Sequence, residues 1–167
     1  MIPSRPSPGE NDANAAMTQR APGFLDLPEL TVFIFAFLLN FVWEFLQVPL
    51  YEGMAEAVHW DAIKTCARAS LADGGIMLVG FWSTALLWRT RSWVLRPTTR
   101  QVVVFSGVGV VITIVAEYLA TTQGGTWGWA YAEAMPVVPV IGTGLSPLMQ
   151  WVVLPPLTVW FVSRHLT

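Results

Sequence analysis

The sequence is poor in charge and in the side chains that carry common enzyme chemistry. Only 12% of its 167 residues are charged, against about 25% in soluble domains. It has one cysteine, Cys66. An intramolecular disulfide is therefore excluded, and a small buried filler is the expected role of the thiol. The two histidines, His59 and His165, lie far apart in sequence, which argues against a histidine-rich metal or haem site. No cofactor and no metal is expected. Net charge is −2 and no basic tract occurs, so nucleic acid is not an expected partner.

What is present is oil-soluble. Hydrophobic residues make up 54% of the chain, with nine tryptophans and twelve prolines, and the mean hydropathy is +0.53. These values point to a membrane protein. A membrane helix needs about 20 mostly apolar residues, and four stretches qualify, at about 30–51, 70–88, 102–121 and 143–162. The third is rich in β-branched residues, but its length and lack of alternation favour a lipid-embedded helix over a strand. The expected fold class is all-α, an integral membrane four-helix bundle with a Pro/Gly-rich outer loop. Residues 1–28 read as a disordered tail, too polar to bury a core and without the apolar segment of a secretory signal. Residues 29–167 form the four-span membrane domain.

Orientation follows from arginine and lysine. Arg5, Arg20, Arg89, Arg91, Arg96, Arg100 and Arg164 fall on one side, and only Lys64 and Arg68 on the other. Both termini are thus expected in the cytoplasm of a bacterium, with the chain spanning its inner membrane. Between spans one and two, Asp61, Lys64 and Arg68 share a helical face, and a short interfacial helix is expected there.

The stretch "NFVWEFLQVPLY" puts Asn40, Glu44 and Gln47 on one face of the first span. At about 1.5 Å per residue, Glu44 lies roughly 10 Å inside the outer end. Counting depth along the other spans places Asp73, Glu117 and Gln150 in the same outer half. Ionisable groups inside spans point to function by default. Three carboxyl groups without a cation at matching depth repel one another, so at least one is expected to carry a proton. The same residues also suit helix-to-helix hydrogen bonding. The segment "AYAEAMPVVPVIGTGLSPLMQWVVLPPL" is broken by prolines and glycines. It is expected to form a re-entrant or extended cap over the polar cluster, followed by a kinked fourth span.

The stretch "EYLATTQGGTWGWAY" resembles a motif of the membrane-embedded lycopene cyclase and carotenoid hydratase group. The match places Glu117 at that family's acidic position, with Ala120, Gly125 and Trp127 following and one extra residue between Ala120 and Gly125. "GLSPLMQWV" is similar to the family's Pro-x-Glu-Glu stretch from Pro147, with Met149 and Gln150 where the paired glutamates stand. The resemblance implies metal-free protonation of a polyene double bond by acids at membrane depth. As a whole the chain is similar to small bacterial multi-pass membrane proteins.

Three functions stay open at this level. In the first, the protein acts on a lipid-soluble isoprenoid by acid-catalysed isomerisation, hydration or cyclisation. Glu44 or Glu117 donates the proton and Asp73 stabilises the cation or removes a proton. Asn40, Gln47 and Gln150 orient the acids, and Trp43, Trp127, Tyr131 and Trp151 line the substrate. In the second, it is a non-catalytic assembly subunit that binds a membrane protein partner or a second copy of itself. In the third, it is a proton-coupled transporter.

Overall fold

A computed structural model of the chain describes residues 27–123 and 128–167. The expected tail lies almost wholly outside the described residues. Four helices make up the rest: α1 Pro28–Gln47, α2 His59–Trp88, α3 Thr99–Gln123 and α4 Leu145–Leu166. Among the described residues there is no β-strand, only two isolated bridges. All four helices are long and apolar enough to cross a membrane.

Each boundary has a local cause. Pro28 opens α1 at its first turn, where its missing N–H costs nothing, and Glu29 places negative charge at that positive helix end. The helix gives way at Val48–Leu50, a 3-10 turn around Pro49. The short helix expected to lead into span two is continuous with it: α2 runs unbroken for 30 residues from His59. No proline or glycine lies between His59 and Ser70 to interrupt it. Lys64 pairs with Asp61 at 2.8 Å on its exposed face.

The end of α2 is less ordinary. Arg89 N–H bonds to Leu86 O and Thr90 N–H to Ala85 O, the paired bonds of a Schellman cap. Glycine commonly takes the left-handed position in such caps, but here it is Arg89, at φ 55° and ψ 34°, a conformation that costs a non-glycine residue about 1–2 kcal/mol. A 3-10 turn, Arg91–Leu95, then folds back into the bundle. It buries Trp93 between Phe81 and Phe105, with ring centroids 5.7 and 5.5 Å away, and Trp93 Nε1 donates to Phe81 O at 3.3 Å.

The helices pack as a ring, each touching the next and α4 closing on α1. Glu29 accepts from Arg91 and Phe35 stacks on Phe161, which puts the start of α1, the end of α2 and the end of α4 at one end. Gly80 lets α2 approach Phe105 of α3, and Gly109 makes room for the Trp151 ring of α4. The core runs through Val32, Ala36, Met77, Phe81, Phe105, Trp151 and Leu154. Outward faces stay apolar, with Leu38, Val42 and Leu46 on α1, Val111 and Val115 on α3, and Val152 and Trp160 on α4 all exposed. The fourth helix continues through Pro155 and Pro156.

Candidate functional site

The face Asn40–Glu44–Gln47 turns inward at the end of the bundle opposite Trp93. Asn40 is fully buried, and its amide group donates to Ala36 O at 2.7 Å. That leaves its carbonyl free to accept from Gln150 Nε2 of α4, at 2.7 Å. The same Gln150 nitrogen lies 2.9 Å from Asp73 Oδ2 of α2 and 3.4 Å from Glu44 Oε1. Gln47 Nε2 donates to Glu44 at 2.8 Å, and Gln47 Oε1 accepts from Ser146 at 2.9 Å. One connected network thus ties α1, α2 and α4 together.

Glu44 and Asp73, from α1 and α2, thus meet at one Gln150 amide nitrogen.

Glu117 of α3 belongs to a second network. Its oxygens accept from Trp129 Nε1 at 3.1 Å, from Tyr131 OH, and from Tyr51 OH at 3.5 Å. Tyr131 OH in turn accepts the Gly144 N–H at 2.9 Å. Burial first, then the nearby Glu117 charge, pushes the Tyr51 phenol above its ordinary range. Burial and the hydrogen bond to Glu117 do the same for Tyr131. Both remain neutral donors at physiological pH.

Backbone pairing holds the second network in place. Glu52 N–H bonds to Ala130 O and Ala132 N–H to Leu50 O, both at 3.0 Å, so the chain after α1 lies antiparallel to the chain before α4. A tight loop follows, closed by Val138 N–H to Thr143 O and Leu145 N–H to Pro136 O. The segment 128–144 is an extended cap over the polar end, one of the two forms expected.

A cavity of about 700 Å³ lies between the two networks. Glu44, Asp73 and Gln150 reach it from one network, Glu117, Tyr51 and Trp129 from the other, and Trp151, Ile76 and Pro147 supply apolar wall. The expected single cluster is therefore two clusters facing one cavity.

Other expected site residues divide. Trp151 lines the cavity while its ring packs on Gly109. Tyr131 hydrogen-bonds Glu117. Trp43 packs against the apolar core instead, with a buried indole N–H that has no hydrogen-bond partner among the described residues. Trp127 lies outside the described residues. Several cavity residues were not expected at the site, Trp129 among them. Tyr51, four residues beyond Gln47, is another. So is Arg68, which stands on α2 at the exposed rim of the cavity. A continuous helix through 59–70 would have put Arg68 about one turn from Asp73. Cys66 is buried and also reaches the cavity wall. Among the described residues, no group of three or more His, Cys, Asp and Glu side chains could hold a metal ion.

No protein-family model, curated protein or solved structure matches this chain.

Proposed function

We propose that the chain is a membrane enzyme that protonates a carbon–carbon double bond of a lipid-soluble isoprenoid, giving an isomerised, hydrated or cyclised product. The observation that carries this reading is the convergence of Glu44, Asp73 and Glu117, from three helices, on one largely apolar, aromatic-lined cavity. A general acid must hold a proton within reach of the reacting atom, and an apolar cavity suits a polyene.

The roles follow from the hydrogen bonds. Glu44 and Asp73 act as one unit rather than as acid and separate base. The pair transfers its proton to an alkene carbon, the π electrons form the new C–H bond, and a carboxylate remains. Glu117 has only donors around it, so it is the acceptor across the cavity. It stabilises the carbocation and takes the proton that the adjacent carbon releases. When water adds instead, it takes a proton from that water. Trp129 and Trp151 offer ring faces to the cation. Gln150 holds both acids of the pair in register. No oxidant or reductant is needed. The resemblance of the Glu117 stretch to polyene-protonating membrane enzymes supports the same chemistry. The proposed setting is the bacterial inner membrane, with both termini in the cytoplasm.

Expression in a polyene-accumulating host tests this. New pigments or isomers are expected with the wild-type chain and are lost with Glu44→Gln or Glu117→Gln. An unchanged product profile, together with recovery of a stoichiometric membrane partner, would support the assembly-subunit reading instead.

A further inference from the structure

A second concave surface lies at the opposite end of the bundle, on its outside. Trp82, Leu86 and Leu87 of α2 and Val104 of α3 form an apolar groove, and it ends against Arg89 and Arg91. Its volume is about 990 Å³. Leu86 is 81% exposed and Leu87 64%, so the chain itself leaves this face open.

We propose that this groove binds one anionic phospholipid, its phosphate held by Arg89 and Arg91 and an acyl chain lying along Trp82, Leu86 and Val104. Charge and position commit the site to that occupant. Arg89 has no carboxylate within ion-pair distance among the described residues, the ion pairs there being Lys64–Asp61 and Arg91–Glu29. Arg91 donates to Glu29 through Nε and one Nη, which leaves further N–H groups of its five for a phosphate. Its guanidinium sits 5.1 Å over the Trp82 ring, so charge and apolar wall meet at one point. That junction is the headgroup boundary of a lipid lying against a membrane helix.

The cap geometry adds an independent reason. Arg89 occupies the left-handed position that glycine fills with least strain. An arginine held there projects its side chain at the helix end, beside the groove, where a glycine would leave no charge. The site is separate from the acid-lined cavity and does not depend on the chemistry proposed for it.

The test is native mass spectrometry of the full chain released from mild detergent, with phosphatidylglycerol or phosphatidylcholine of matched acyl chains added. The wild type is expected to retain one phosphatidylglycerol at least tenfold better than phosphatidylcholine. Arg89→Gly relieves the cap, so its thermal midpoint stays equal or rises while retention of phosphatidylglycerol falls at least fivefold. Arg96→Gln, outside the groove, retains the lipid as wild type does. Equal retention of the two lipids by the wild type would overturn the site, a result that needs no variant to fold. Undiminished retention in Arg89→Gly, or an equal loss in Arg96→Gln, would overturn it as well.

Discussion

Gln150 Nε2 lies 2.9 Å from Asp73 Oδ2, and through that bond the fourth helix sets the position of a carboxyl group on the second. The same nitrogen also serves Asn40 and Glu44. Gln150→Leu keeps the volume and removes the donor. It leaves the buried Asn40 carbonyl and the acid pair without their shared partner, at a cost of about 1–3 kcal/mol. A lower thermal midpoint in detergent is expected. An unchanged midpoint would mean that the network does not contribute to holding the helices.

Tyr131→Phe removes one donor to Glu117 and the acceptor for Gly144 N–H. The direct loss is about 0.5–1.5 kcal/mol per bond, and it falls on the cap. Hydrogen exchange should therefore quicken at the Glu52 and Ala132 amides, which pair the cap to the end of α1. Amides in the middle of α2 should exchange as before. Cys66 on the cavity wall reports the same opening through faster labelling by a thiol reagent.

Two glycines of α3 separate packing from propensity. A Cβ on Gly109 would stand 1.8 Å from the Trp151 ring, whereas one on Gly107 meets nothing within 4 Å. Gly109→Ala should cost about 1–3 kcal/mol through overpacking and displace a cavity wall. Gly107→Ala should be neutral or slightly stabilising. Thermal unfolding of the two variants side by side checks the difference.

Alkaline pH acts on the phenols. Tyr51 and Tyr131 hold their protons more tightly when folded than when unfolded. Above about pH 10, the ordinary tyrosine value, the unfolded chain loses protons that the folded chain keeps. Stability is intact below that pH and falls as pH rises beyond it. Absorbance at the tyrosinate band should show Tyr51 and Tyr131 ionising together with unfolding. Tyr131→Phe, with one fewer titrating phenol, should make the fall of stability with pH shallower.

Much of this arrangement was legible before any coordinates. Spacing of four and three put Asn40, Glu44 and Gln47 on one face, and counting depth brought Asp73 and Gln150 to them, because helix rise is nearly constant. Depth gave height but not azimuth, so Glu117 was grouped with residues that it faces across a cavity. Its partners Trp129 and Tyr131 come from a segment shaped by backbone pairing with residues 50–52, a long-range contact with no local periodicity. Trp43 sits next to Glu44, yet neighbours in a helix point about 100° apart, and its ring enters the core. The Arg89 cap was illegible because the usual glycine is absent.

The most direct measurement is of solvent hydrogen entering substrate carbon. Membranes carrying the wild-type chain, incubated in heavy water with an isoprenoid polyene, should yield product with one deuterium per protonation event, bound to carbon. Glu44→Gln combined with Asp73→Asn should abolish it. Polyene recovered without deuterium, or labelled equally by membranes lacking the protein, would contradict proton transfer from the Glu44–Asp73 pair.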